Sequence, residues 1–346
     1  MVEKSTDEKF MKAVLYTGPS EYSYSATTKT IPTPGPGQLL IKVECVPINP
    51  SDTYYLAGQY HGTYAYPIVP GGEGSGTVIA SGGGIYAWSF VGKRVTFTRQ
   101  MERPGQFTKD GTYAEYVVTN ATNCITLDAS CSFEQGANGV VNPLTALGLM
   151  ERARVLKAQA IVQTGAASQL GRMVIKLARE SKIPLINIVR RDEQVNLLQG
   201  DKYKQEYVLN SEKEGFQEEL QSLCKKLNAT VVFECVSGPV VGVIMNAIPP
   251  KSTLISYGNL SEQKMSGINT FKLIGLEIKI EGFLLPYWLK EKSTWALLGI
   301  MKASKPLLEE VQIYKEYGFH QIKEAVEEYK ANMSKGKILL RPSLTE

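Results

Sequence analysis

AIVQTGAASQLGRMVIKLARE, residues 160–180, decides the fold. It opens as a short apolar run, AIVQT, and enters a turn of mostly small residues, Gly165-Ala166-Ala167-Ser168-Gln169-Leu170-Gly171. Beyond the turn Leu170, Met173, Val174, Leu177 and Ala178 recur at three- and four-residue steps, so one face of a helix is apolar and packs on a sheet. Phosphate suits such a helix start, where unpaired N–H groups and the positive dipole end favour an anion. The turn is no literal G-x-G-x-x-G, because Ala167 and Ser168 stand at glycine places. Taken alone it also fits a purely structural strand–turn–helix.

Working outward, the chain after Asn142 alternates strands and helices. Strand candidates are Ala160–Thr164, Leu185–Val189, Tyr207–Asn210, Thr230–Val236, Thr253–Gly258 and Ile278–Phe283, which predict a doubly wound parallel sheet. From Met11 to about Thr126 the pattern is different: short β runs (KAVLY, QLLIKVECV, GSGTVIA, KRVTF, YAEYVVT) broken by Gly and Pro, as in a barrel-like unit. Near the end, Ile322, Ala325, Val326 and Tyr329 have helical spacing, and GKILLRP reads as a strand returning to the first domain. The expected fold class is therefore α/β, a β-rich domain from residues 1–140 and 299–346 with a nucleotide-binding domain, 141–298, inserted. The first ten residues read as a polar lead-in.

The 346 residues are ample for two cores, and 43% hydrophobic with 21% charged residues is ordinary for a soluble globular chain. Basic residues exceed acidic ones only 38 to 34 and occur in nothing longer than pairs, which argues against nucleic acid as the main ligand. No run of 18 apolar residues predicts a membrane span. Five cysteines without a C-x-x-C, with His61 and His320 the only histidines, predict free thiols in a reducing compartment and no metal site. MVEKSTDEKF lacks the marks of a leader, so a cytoplasmic location is expected if Met1 is the natural start.

The strand Leu185–Val189 ends in Arg190-Arg191, where an NAD-binding domain would place an acid for the ribose 2'-hydroxyl. Two guanidiniums suit a 2'-phosphate instead, so NADPH is the expected cofactor. Solvated surface arginines, partly neutralised by Asp192, are the plainer alternative.

Four ordered motifs then carry a resemblance: Asn49-Pro50-Ser51-Asp52, Gly58-Gln59-Tyr60, Pro70-Gly71-Gly72-Glu73-Gly74 and Val141-Asn142-Pro143-Leu144-Thr145-Ala146. Together they resemble the zinc-free medium-chain dehydrogenase/reductases, most closely the mitochondrial-type 2-enoyl thioester reductases, with quinone oxidoreductases next. The resemblance covers nearly everything from Met11 to Pro342. It implies a GroES-like catalytic domain, a Rossmann domain, a cleft between them, NADPH as hydride donor and commonly a homodimer. It also makes the mitochondrial matrix the alternative compartment. Gly72 stands where zinc-dependent relatives carry a histidine.

Residue by residue, the resemblance implies Tyr60 as the catalytic tyrosine. It implies a cofactor site from Asn49, Asn142, Thr145, Ser168, Gln169, Leu170, Gly171, Arg190, Arg191, Tyr257, Gly258, Phe283, Leu284 and Lys337. Two departures stand out. Gln169 replaces a usual glycine in the phosphate loop, and Leu284 stands where enoyl reductases often show tryptophan.

Reducing a conjugated double bond needs a hydride at the β-carbon, stabilisation of the developing enolate and a proton at the α-carbon. A phenol, with a reference pKa of about 10, is protonated at neutral pH and can donate to the enolate. His61, beside Tyr60, reads as a loop histidine or a relay. Tyr287 and Trp288 read as acyl-pocket wall or core, while Asn49 and Asp52 read as turn formers. Substrates would be enoyl groups on CoA or on acyl carrier protein. The competing readings are NADPH:quinone reductase and, resting on Gln169, a non-catalytic binding or assembly subunit.

Overall fold

The computed structural model describes residues 9–18, 24–56, 63–101, 106–107 and 109–344, in two compact units: residues 1–141 with 311–346, and residues 142–310. The chain thus leaves the first unit at Val141 and re-enters it at Val311. That second crossing lies later than the expected 298/299, because the helix Thr294–Ser304 and the 3-10 turn Lys305–Glu310 stay with the nucleotide unit. Leu307 is buried there, and the first turn of Gln169–Glu180 holds the backbone of Glu310.

In the first unit, Gln38–Pro47 is the hub. It pairs antiparallel with Glu73–Ser81, with Tyr116–Asn120 and with the C-terminal strand Lys337–Arg341, through Leu339 to Pro47 and Leu340 to Val46. The sheet continues through Arg94–Thr98 to Cys124–Thr126 on one side and Ile313–Gly318 on the other. Alternating apolar residues of these strands, among them Leu39, Ile41, Val43, Val95, Phe97 and Leu340, close its core. Phe10–Tyr16 pairs separately with Tyr24–Thr30.

The second unit holds one parallel sheet. Its order is Tyr207–Asn210, Leu185–Val189, Ala160–Gln163, Ala229–Glu234, Thr253–Ser256 and Lys279–Gly282. Strands covered on both faces are almost wholly apolar, and all five residues of Leu185–Val189 are buried. Strand order reverses between Ala160–Gln163 and Ala229–Glu234, the place where open α/β sheets bind ligands beyond the strand ends. The helix Gln169–Glu180 buries Met173, Val174, Ile175 and Ala178 against this sheet, while Leu170 and Leu177 are half-exposed at its margin.

Candidate functional site

At the reversal point Ser168 caps the helix Gln169–Glu180, its Oγ accepting the Gly171 N–H at 3.1 Å. A cap satisfies only one of the first-turn amides, and an anion suits those that a helix start leaves without an intrahelical partner. A Cβ on Gly171 would lie 2.4 Å from the Ala166 carbonyl oxygen, so only glycine lets the turn fold back this tightly. Gln169 does not obstruct it. Its side chain is buried, Nε2 donating to the Glu310 carbonyl at 2.6 Å and Oε1 accepting from Arg172 at 3.3 Å. The residue behind the non-catalytic reading is thus spent on tying the helix to the end of its own unit.

Arg190 and Arg191 are exposed just past Leu185–Val189, and Arg191 is the N-cap residue of Asp192–Gln199. Asp192 is engaged elsewhere, accepting from Asn210 at 2.9 Å and pairing with Lys213 at 3.0 Å; the Asn210 and Lys213 contacts hold its carboxyl below the usual range.

The next strand end holds a residue that sequence reasoning missed. Glu234 is fully buried. Its Oε1 accepts from the amides of Val236 (2.6 Å) and Ser237 (2.8 Å) and from the Thr164 hydroxyl (3.3 Å). Oε2 has no partner, and neither do the buried Tyr257 hydroxyl and Asn259 Oδ1. Burial pushes the Glu234 carboxyl up. Unpartnered polar atoms cost about 1–3 kcal/mol each when buried, so three at neighbouring strand ends suit the hydroxyl- and amide-rich half of a nicotinamide nucleotide. The signal in the sequence was one acid closing the otherwise apolar run TVVFE.

Tyr257 and Gly258 follow Thr253–Ser256, and Phe283 donates its N–H to Ser256 O at 2.8 Å. Phe283 packs on Trp288 with ring centroids 6.2 Å apart, against Gly148 of the helix Val141–Val155. Trp288 also donates Nε1–H to Glu151 at 3.3 Å, so it belongs to this packed cluster. Leu284, the N-cap residue of Leu285–Lys290, and Tyr287 are exposed. Asn142 and Thr145 are buried one turn apart at the start of Val141–Val155 and share a helical face.

The first unit contributes a buried polar cluster whose members come from distant parts of the chain. Asn49 donates Nδ2–H to Glu73 Oε1 at 2.9 Å and accepts from Lys337 Nζ on Oδ1. The second Glu73 oxygen accepts from the amides of Val140 (3.0 Å) and Val141 (2.9 Å), where the chain leaves the unit. Asp52 Oδ2 accepts from the Asn49 amide at 2.9 Å and from the Tyr113 hydroxyl at 3.3 Å. Burial dominates all three ionisable groups. It lifts Asp52 to about 6 with help from Glu73, raises Glu73 against the pull of Lys337, and lowers Lys337 against both acids. In this state Asn49 and Lys337 spend their side chains on each other.

A Cβ on Gly72 would lie 3.2 Å from Asp52 Oδ1, so a histidine there would press on this cluster. Among the described residues, no three His, Cys, Asp or Glu side chains meet as a metal site. Burial pushes the thiols of Cys45, Cys124, Cys224 and Cys235 up to about 12. Asp52 sits on the helix Pro50–Leu56, which leads into residues 57–62; Tyr60 and His61 lie outside the described residues.

Known proteins match this architecture in order. The alcohol dehydrogenase GroES-like domain matches residues 35–129, and the zinc-binding dehydrogenase domain matches residues 170–299. A mitochondrial enoyl-[acyl-carrier-protein] reductase of Arabidopsis thaliana is 30% identical over 263 residues, 72% of this chain but 64% of that protein, a little under two thirds. The namesake enzyme of Caenorhabditis elegans is 29% identical over 79% of this chain and 76% of its own. A solved candidate NADPH:quinone reductase from Mesorhizobium loti superposes with a TM-score of 0.85 at 32% identity, covering 97% of this chain and all of the other. A Candida tropicalis enoyl thioester reductase shares the fold alone, at TM-score 0.76 and 19% identity over 96% of this chain and 100% of the other. With both units matched in sequence order and a full-length relative at 32% identity, the chain belongs to the medium-chain dehydrogenase/reductases, a family of nicotinamide-dependent oxidoreductases.

Proposed function

We propose that the protein uses NADPH to reduce the carbon–carbon double bond of 2-enoyl thioesters carried on CoA or acyl carrier protein. One observation carries the cofactor assignment. The Ser168-capped helix start lies at the sheet's reversal point, with Arg190 and Arg191 exposed at the adjacent strand end. Ser168, Leu170 and Gly171 receive the pyrophosphate, the arginines the 2'-phosphate, and Glu234, Tyr257, Gly258, Phe283 and Leu284 border the nicotinamide half. Asn142 and Thr145 complete that border, with Gln169 in a supporting place. When bound, NADPH supplies the hydride for the β-carbon. The Tyr60 phenol donates a hydrogen bond to the enolate oxygen and a proton to the α-carbon, and leaves as phenolate to be reprotonated from water.

The enoyl substrate is supported by the names of the curated relatives, and quinone by the full-length Mesorhizobium loti relative. A quinone needs the same cofactor but no placed proton donor. Turnover of crotonyl-CoA and of an ortho-quinone by wild type and Tyr60→Phe separates them. The enoyl reading requires crotonyl-CoA turnover that falls about 10²–10⁴-fold in the variant. Turnover of quinone alone, unchanged by the substitution, rejects it.

A homodimer joined through the second sheet is supported by its open edge strand Lys279–Gly282 and by exposed Ile280, Phe271, Ile274 and Trp295 nearby in sequence. A mitochondrial location is supported by the relatives' names.

A further inference from the structure

The helix Val141–Val155 starts without a cap of its own. The helices Phe133–Ala137, Gln169–Glu180, Thr270–Gly275 and Thr294–Ser304 each have a first-turn amide met by the side chain just before them, from Ser132, Ser168, Asn269 and Ser293. Ahead of Val141 stand Gly139 and Val140, whose side chains offer no acceptor, and the first turn of this helix holds no acid. Its acceptor comes from 67 and 68 residues upstream, where Glu73 Oε2 takes the N–H groups of Val140 at 3.0 Å and Val141 at 2.9 Å. A carboxylate also suits the positive end of the helix dipole.

A local cap moves with its helix, whereas this one is anchored in a sheet. Glu73 opens the strand Glu73–Ser81, is paired with Thr98 across it, and is fully buried. Its carbonyl accepts from the Thr112 hydroxyl at 2.9 Å and its Oε1 from Asn49 Nδ2 at 2.9 Å. The segment entering the helix packs as closely, since a Cβ on Gly139 would lie 3.0 Å from Thr96 Oγ1. Val141 is the last residue of the first unit. The next is Asn142, with Thr145 one turn further on the same helical face, so an error at the Val141 amide passes along the helix to both. Misplacing a reacting group by about 1 Å can cost about 10²-fold in rate.

We propose that Glu73 is a positioning residue for hydride transfer: its carboxylate holds the start of Val141–Val155 and, through Val141, sets where Asn142 and Thr145 meet the nicotinamide. This role rests on the reading that those two residues border the nicotinamide half of NADPH. The test compares wild type with Glu73→Ala, Glu73→Gln and Val141→Pro. Glutamine keeps an oxygen for the two amides. Proline suits the first helical position, removes one of the two N–H donors and leaves the Glu73 side chain unaltered. Rates are measured with NADPH and whichever of crotonyl-CoA or an ortho-quinone the wild type reduces. Dissociation constants are measured for adenosine 2',5'-bisphosphate, which has the adenine end of the cofactor and lacks the nicotinamide.

The expected results are a kcat at least tenfold lower in Glu73→Ala, at least fivefold lower in Val141→Pro and within threefold of wild type in Glu73→Gln. The bisphosphate should bind all four proteins within twofold, a split that general damage to the fold would not produce. The proposal fails if folded Glu73→Ala keeps its kcat within twofold, if Glu73→Gln falls as far as Glu73→Ala, or if bisphosphate affinity drops along with kcat. Should Glu73→Ala not fold, Val141→Pro decides by the same criterion. A wild type that binds the bisphosphate but reduces neither acceptor is a different result, which overturns the proposed function and this role with it.

Discussion

Asp52→Asn should stabilise the protein at neutral pH although it removes a buried, hydrogen-bonded side chain. In the native state the Asp52 carboxyl titrates near 6, against 3.8 when unburied, because burial and neighbouring Glu73 outweigh Lys337 and the Asn49 amide. Between those values the native protein holds a proton that the unfolded chain has released. Stability therefore falls as pH rises through the window and stays lowered above it. A gap of about two pH units corresponds to about 3 kcal/mol at 1.36 kcal/mol per unit.

Asparagine keeps an oxygen for the Asn49 amide and the Tyr113 hydroxyl and carries no charge, but its NH2 group must be accommodated beside Gly72. The net gain is thus expected at about 2 kcal/mol above about pH 7, fading to none or to a small loss near pH 4. Equilibrium urea unfolding of both proteins across that range measures it. An Asp52→Asn protein less stable at every pH, or a difference independent of pH, would refute the reasoning and show Asp52 held as the ionised partner of Lys337.

Arg190→Ala/Arg191→Ala should raise the KM for NADPH by at least tenfold while leaving that for NADH within a few-fold, since each lost charge-assisted contact is worth about 1.5–3 kcal/mol; initial rates with both cofactors decide it. Gly148→Ala places a methyl 2.5 Å from Phe283 Cζ, and overpacking of this kind costs about 1–3 kcal/mol, read as a lower urea midpoint. Gln169→Ala should leave the Kd for NADPH within about threefold, because the side chain points to Glu310 and not into the phosphate turn. Its cost should appear in stability, at about 1 kcal/mol for the lost hydrogen bonds.

The second unit was the more legible from sequence. Leu185–Val189 and Tyr207–Asn210 coincide with the largely apolar runs that predict them, although Asn187 is buried inside the first and Asn210 ends the second, which lies at the sheet edge. Thr253–Ser256 stops short of the expected Gly258, the Tyr257 N–H making its bond to Glu234 O just past the strand's end. In the first unit the run YAEYVVT was expected from Tyr113, but the strand begins at Tyr116; Tyr113 donates its N–H to Pro70 O and its hydroxyl to Pro47 O and Asp52.

Tyr24–Thr30, mostly polar and only half-covered, has no apolar alternation to betray it. The buried cluster was invisible for a different reason. Asn49, Asp52, Glu73 and Lys337 meet only once the last strand has paired beside Gln38–Pro47, and no local spacing records that pairing. Glu234 left a trace, as an acid ending an apolar strand, but its unpartnered oxygen is a property of the folded turn.

The most direct measurement follows the hydride. With crotonyl-CoA and NADPH deuterated at both C4 positions, the proposed chemistry puts a single deuterium on the β-carbon of the butyryl product and a solvent-derived proton on the α-carbon. Deuterium at the α-carbon, or no butyryl-CoA while a quinone is reduced, contradicts it.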